Sequence, residues 1–300
     1  MSKIFPESIR KIGLFPLSLG VQGPHFFETA LRRIEAMGVN CKVSLPEGGE
    51  YRYLAGSDEA RAESFNRLLA DESIDLLFAI RGGFGAVRTL PFIDWDLLMK
   101  RNIPVVGFSD MTGFLLPAWK KGFKKAILGK MAEATFGDNL SPEELDCCAR
   151  TLYRCVAGKV VSLAEEKPLC AIKTGRVTAP IVPCNLMLLI SLIGTPWMPD
   201  LSGTILVIES VGQGMIQIER NLTQLEQSGI LESLAGLVFG NFTGCDFREY
   251  QADVIWDYAQ KVPGPVCSDL KFGHEEPGAV FRVGGIATLE VNNDGSVVLV

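Results

Sequence analysis

Apolar and polar positions along the first half of the chain fall into blocks that switch between two periods. Lys11-Ile12-Gly13-Leu14-Phe15 is a short apolar run closed by Pro16, the pattern of a buried strand. From Phe26 to Met37, Phe27, Leu31 and Ile34 recur at helical spacing, and Gly38 follows where a helix-ending glycine belongs. Val39 to Leu45 predicts a second strand. Asp58 to Asp71 predicts an amphipathic helix whose acidic first turn complements the helix dipole. Ile74 to Ile80 and Ile103 to Phe108 are unbroken apolar runs lying between helical segments. Runs of that kind suit a parallel sheet covered on both faces, so the expectation is a flavodoxin-like or Rossmann-like α/β layer.

Ser141 to Ala157 reads as a polar helix, with Ser141 as N-cap, Pro142 at the first helical position and Glu143-Glu144 in the first turn. Glu165 to Gly175 is loop-like. The expected organisation is a first domain over residues 1–160, a linker over 161–175 and a second domain over 176–300. In the second domain Asn185 to Ile193 predicts an apolar helix, Thr204 to Ile208 a buried strand, Ile218 to Gln227 a helix and Gly236 to Gly240 a further strand. The remaining tail is rich in short β segments. The fold class expected is α/β with two domains, the second a mixed α/β domain rich in β.

Composition narrows the partners. At 300 residues the chain has room for two ordinary domains. Its 47% hydrophobic and 21% charged residues are the balance of a folded globular protein. A net charge of -6 argues against nucleic acid or an anionic membrane as partner. The apolar stretches near Leu186 and Leu206 are shorter than the roughly 20 residues a bilayer crossing needs, and residues 1–16 lack a signal-peptide core. A cytoplasmic location is the expectation. The eight cysteines show no CxxC spacing and only two histidines accompany them, so reduced thiols are expected and metal chemistry is not.

Four segments carry candidate chemistry. His25 precedes a helix and reads as exposed or capping. His274 lies in a turn-rich loop after Gly273, where a neutral imidazole is available as a general base. Ser109 stands where the strand Ile103–Phe108 passes directly into a helix. That places it at the carboxyl end of a parallel strand, where open α/β sheets bind ligands. Gly107-Phe108-Ser109-Asp110-Met111 resembles a nucleophile elbow without its final glycine, and a simple helix cap is the competing reading. Arg81-Gly82-Gly83-Phe84-Gly85 also follows a buried strand. It reads as a phosphate loop or as an oxyanion loop beside the serine, although G-x-G-x-x-G and the P-loop pattern are both missing. Glu209 ends a buried strand, either as a solvated group or as the carboxylate that orients a histidine.

Taken together, these segments resemble the LD-carboxypeptidase family of serine peptidases, which also includes the microcin C self-immunity proteins. The matching stretches are Arg81–Gly85, Gly107–Thr112, Ile205–Ser210 and Phe272-Gly273-His274, supported by Gly194-Thr195-Pro196 and Ile218–Leu222. The resemblance implies Ser109 as nucleophile, His274 as general base and Glu209 as its orienting partner. It also implies an oxyanion hole from the backbone N–H of Asp110 and of Gly82 or Gly83. Arg81 is a weaker candidate for binding a substrate carboxylate, a structural ion pair being the alternative. The resemblance further implies a cleft between domains, a small peptide substrate, no metal or organic cofactor, and a homodimer. The family's typical substrate is a peptidoglycan tetrapeptide that loses its terminal D-alanine.

Two segments depart from the family. Gly129-Lys130-Met131 carries lysine where the family has proline, and Pro183-Cys184-Asn185-Leu186 replaces Gly-Gly-Asn-Leu. They leave two alternatives beside the muropeptide reading. One is a sibling hydrolase of acyl-nucleotide amides, with Trp197 or Trp256 as stacking residues. The other is a binding protein that has lost turnover.

Overall fold

The computed structural model describes residue 5 and residues 7–137, 140–164, 168–275 and 277–300. The chain divides between Lys159 and Val160 into two compact units.

The first unit contains strands β1 (Lys11–Phe15), β2 (Asn40–Val43), β3 (Leu76–Ala79), β4 (Val105–Gly107) and β5 (Ala126–Leu128). They form a parallel array in the order β2-β1-β3-β4-β5. This is the flavodoxin-like order, and the strand order reverses between β1 and β3. The central strands are apolar throughout because helices cover both faces; β3 is buried at every position. Among the described residues its helices are α1 (Pro24–Ala36), α2 (Asp58–Ala70), α3 (Ala86–Thr89), α4 (Trp95–Arg101), α5 (Thr112–Lys120), α6 (Ala132–Phe136) and α7 (Pro142–Val156). Ser57 caps α2 through its side chain, and α7 begins in a full capping box between Ser141 and Glu144.

Arg61 on α2 is fully buried in this unit. Its Nε donates to Gly56 O at 3.2 Å and its Nη1 to Gly85 O at 3.0 Å. Leu17 O and the Asp58 carboxylate accept from the same guanidinium. One buried cation therefore ties the chain after β1, the segment leading into α2 and the loop after β3 into one piece.

The second unit contains β6 (Val161–Ser162), β7 (Cys170–Lys173), β8 (Gly175–Asn185), β9 (Ile205–Val211), β10 (Gly236–Thr243), β11 (Val266–Ser268), β12 (Val280–Arg282), β13 (Gly285–Val291) and β14 (Val297–Leu299). Seven of them form a mixed sheet in the order β14-β13-β8-β9-β10-β11-β7. Its parallel centre is β8-β9-β10-β11. β6 pairs antiparallel with β12. The helices here are α8 (Leu186–Leu192), α9 (Met215–Gln227), α10 (Ile230–Ser233) and α11 (Gln251–Ala259). Among the described residues no helix is long and apolar enough to cross a membrane.

The α/β class and the parallel layer expected from the sequence are the ones observed. The segment 161–175, read as a linker, contributes β6 and β7, and its residues 165–167 lie outside the described residues. β8 is a further difference: the sequence suggests only the helix that follows it. Pro180 and Pro183 explain this, since proline supplies no ladder donor and argues against an interior strand. Yet Pro180 faces Ile286 of β13 and Pro183 faces Val207 of β9.

The α7 cap gives a direct check on this reading of local structure. Ser141→Ala should lower the free energy of unfolding by about 1 kcal/mol in urea titrations. An unchanged midpoint would mean that the capping box does not hold α7.

Candidate active site

In the first unit β4 ends at Gly107 and the chain turns through Phe108 into a 3₁₀ turn at Ser109–Met111 that runs straight into α5. Ser109 takes the left-handed conformation, with φ 56°. A residue with a Cβ pays about 1–2 kcal/mol for that, so the turn is held by its surroundings rather than by preference. Gly107 shows how tight it is: a Cβ there would sit 2.6 Å from Met111 Cβ. A strand–serine–helix junction of this shape presents the hydroxyl at the carboxyl end of the sheet. The serine itself is half-buried.

Asp110, the next residue, points the other way and is buried. Its Oδ2 accepts from Ser18 Oγ at 2.6 Å and from the Ala86 backbone N–H at 2.8 Å. Burial pushes its pKa up, while those donors, the Gly85 amide and the charge of Arg61 oppose the rise. The side chain thus fastens the serine turn to the glycine loop after β3 and to the chain after β1. Gly82 of that loop lies against the serine, and a Cβ on it would stand 3.3 Å from Ser109 Cβ. The first unit therefore brings Gly82 beside Ser109, with Asp110 tied to the far end of the same loop, while Gly83 packs toward Leu19.

Arg81 opens the same loop. Its Nη1 donates to Gly20 O at 3.5 Å, and it acts electrostatically on Glu133 of α6. Glu133 is buried and accepts from the Gln22 backbone N–H at 3.1 and 3.2 Å through its two oxygens. Lys130, the substituted residue after β5, holds its ammonium 5.2 Å from the centre of the Phe108 ring. Sequence reasoning did not select Glu133 or Ser18, because an acid early in a short helix and a serine after a strand are common surface patterns.

The second unit holds the other two candidates. β8 and β9 run parallel with Asn185 directly beside Glu209, so both side chains leave the sheet on one face. Glu209 has no exposed surface. Its Oε1 accepts from Asn185 Nδ2 at 2.9 Å, and its Oε2 lies 2.8 Å from His274 Nδ1. Asn185 Oδ1 is committed to capping α8, accepting from Leu188 N–H at 3.2 Å, which turns the amide NH₂ toward the glutamate. An ionised carboxylate only accepts, so the His274 proton sits on Nδ1 and the basic lone pair on Nε2. His274 is 24% exposed.

Local packing sets the histidine's position. Phe272 is fully buried, edge-on to Phe281 at 5.2 Å, and its carbonyl accepts from Asn241 N–H at 2.7 Å. Gly273 then turns the chain with φ 153°, where a Cβ would lie 3.0 Å from Asn241 Cβ and 3.5 Å from Glu209 Oε2. A backbone in that region favours glycine, and a side chain there would crowd Asn241. Asn185 was missed as a site residue. Its signal in the sequence is an asparagine cap standing where a buried strand meets an apolar helix.

These features define a two-unit α/β protein with a serine on a left-handed strand–helix turn in one unit and a buried carboxylate–histidine pair in the other. The description LD-carboxypeptidase N-terminal domain matches residues 12–129, and LD-carboxypeptidase C-terminal domain matches residues 178–289. The murein tetrapeptide carboxypeptidase of Pseudomonas aeruginosa is 30% identical over 279 residues, covering 88% of this chain and 88% of that protein. The muramoyltetrapeptide carboxypeptidase of Oxalobacter formigenes has a crystal structure that superposes with a TM-score of 0.83 at 25% identity, covering 96% of this chain and 97% of that one. The microcin C7 self-immunity protein MccF in complex with aspartyl sulfamoyl adenosine superposes with a TM-score of 0.87, covering 99% of this chain and 97% of that one. At 19% identity the likeness to MccF is one of fold. The chain belongs to the LD-carboxypeptidase family, peptidase family S66.

Glu133 supplies a pH test. Burial raises its pKa above the ordinary 4.5, so the folded state binds its proton more tightly than the unfolded chain does. That contribution to stability is complete below pH 4.5 and is lost as the pH rises through the folded value. Relative to Glu133→Gln, the wild type should lose stability between acidic and neutral pH. Parallel unfolding curves at every pH would show that the carboxyl is not desolvated.

Proposed function

We propose that this chain is an L,D-carboxypeptidase of muropeptides, a serine hydrolase that removes the terminal D-alanine from a peptidoglycan tetrapeptide in the cytoplasm. The observation that carries the chemistry is the Glu209–His274 contact. A buried carboxylate holding Nδ1 leaves Nε2 as the base nitrogen, the arrangement a hydroxyl nucleophile needs.

In this reading Ser109 Oγ attacks the carbonyl carbon of the scissile amide and passes its proton to His274 Nε2. The resulting imidazolium faces the ionised Glu209, which stabilises it. The tetrahedral oxyanion takes hydrogen bonds from the backbone N–H of Asp110 and of Gly82 or Gly83. As the C–N bond breaks, His274 gives the proton to the leaving amine, and D-alanine departs. Water then attacks the Ser109 ester with His274 again as base, which releases the shortened peptide and restores the hydroxyl.

Several features support these roles. Ser109 lies in a left-handed turn at a strand–helix junction, and Asp110 anchors that turn to the glycine loop. The relatives at 25–30% identity carry names that specify a murein or muramoyl tetrapeptide substrate. Arg81, which opens the glycine loop, is the proposed partner of a substrate carboxylate.

The test is D-alanine release from a muropeptide tetrapeptide. Wild type should turn over, and Ser109→Ala should lose on the order of 10⁴-fold or more of the rate. Release that survives Ser109→Ala would remove the serine from the mechanism. A wild type that releases nothing would remove the muropeptide and direct attention to acyl-sulfamoyl nucleotides of the kind bound in the MccF complex.

A further inference from the structure

The second unit contains a cavity of about 510 Å³ between β7, the end of β11 and α11. Neither Glu209 nor His274 lines it. One wall is apolar, made by Ile172 of β7 with Ile255 and Trp256 of α11, and the Trp256 ring is 55% exposed. Its polar lining residues are Arg248, Gln251, Ser268 and Asp269.

Those four polar residues share a property. None of their side chains makes a hydrogen bond or ion pair with another part of the described chain. Ser268 is only 8% exposed as a residue, and it borders this cavity. Arg248 and Asp269 are of opposite sign and border the same space without pairing. Asp269 is also held in the left-handed region, with φ 64°. Large apolar walls with a few unsatisfied polar groups converging on them are the general form of a small-molecule site, and the volume falls within the usual ~300–1,000 Å³.

The charge pattern selects the ligand. An anion would pair with Arg248 and meet the Asp269 carboxylate, and a cation would do the reverse. A neutral apolar molecule would use neither charge. A zwitterion satisfies both. We infer that this cavity binds an α-amino acid or dipeptide with an apolar side chain. Its carboxylate lies on the Arg248 guanidinium, its ammonium on Asp269 with Ser268 as a further acceptor, and its side chain against Ile255 and Trp256. The volume exceeds what free alanine fills, so a larger side chain or a second residue is favoured. The inference rests on the cavity and holds whether or not the muropeptide reading does.

Calorimetric titration of the Ser109→Ala protein with L-alanyl-L-phenylalanine tests it, since this variant should not consume a peptide. Saturable binding at one site is expected, and both the N-acetyl and the C-amide forms of the dipeptide should bind about tenfold more weakly or worse. Arg248→Ala and Asp269→Asn, each added to Ser109→Ala, should weaken the unmodified dipeptide by about the same factor. Arg248 is exposed, and asparagine tolerates the left-handed backbone at 269, so both variants should fold. Absence of binding by the dipeptide would overturn the assignment. Binding that is indifferent to both substitutions would do the same, because it would place the ligand elsewhere.

Discussion

A carboxylate with no exposed surface must have its oxygens satisfied from within the protein, and in the second unit Glu209 imposes that requirement. Its two partners are Asn185 and His274. Each is fixed by something other than the glutamate. The first is the end of the neighbouring parallel strand and the cap of α8, and the second follows a fully buried phenylalanine and a glycine with positive φ packed against Asn241. Strand register, helix start and loop path therefore converge on one carboxylate. Removing it would take away the acceptor that Asn185 Nδ2 and His274 Nδ1 share; removing either of them would leave a buried charge under-satisfied.

The first unit uses buried charge differently. Arg61 spends its donors on the carbonyls of Leu17, Gly56 and Gly85 and on Asp58, and Asp110 accepts from Ser18 and Ala86. The two side chains act on the same segments from opposite signs. Carbonyls of the loops after β1 and β3 are held by the cation, and donors of the same loops are held by the anion. This is what allows Ser109 to remain in an unfavourable backbone conformation: the strain is local, while the restraint is spread over three chain segments.

Much of this was legible from residues alone. Short apolar runs between helical segments gave the parallel sheet, because β1, β3 and β4 are covered on both faces and have no polar face to display. Ser141 and Glu144 marked the start of α7 through a local hydrogen-bond pair that needs no tertiary context. The scarcity of histidine drew attention to His274, and the strand–helix junction drew it to Ser109. What escaped was whatever depended on distant partners. β8 carries two prolines and reads as a non-strand, yet its neighbours on both sides hold it in the sheet. Asn185, Ser18 and Glu133 are ordinary residues locally and acquire a role only through contacts 24, 92 and 111 positions away.

The proposed catalysis depends most directly on the protonation of His274. With only two histidines in the chain, ¹⁵N NMR of the imidazoles at pH 8 can be assigned by comparison with His25→Gln. The Glu209 contact predicts that neutral His274 carries its proton on Nδ1, with an Nδ1–H resonance that is lost in Glu209→Ala. A proton on Nε2 instead would contradict the proposed role, because that nitrogen would lack the lone pair that a general base requires.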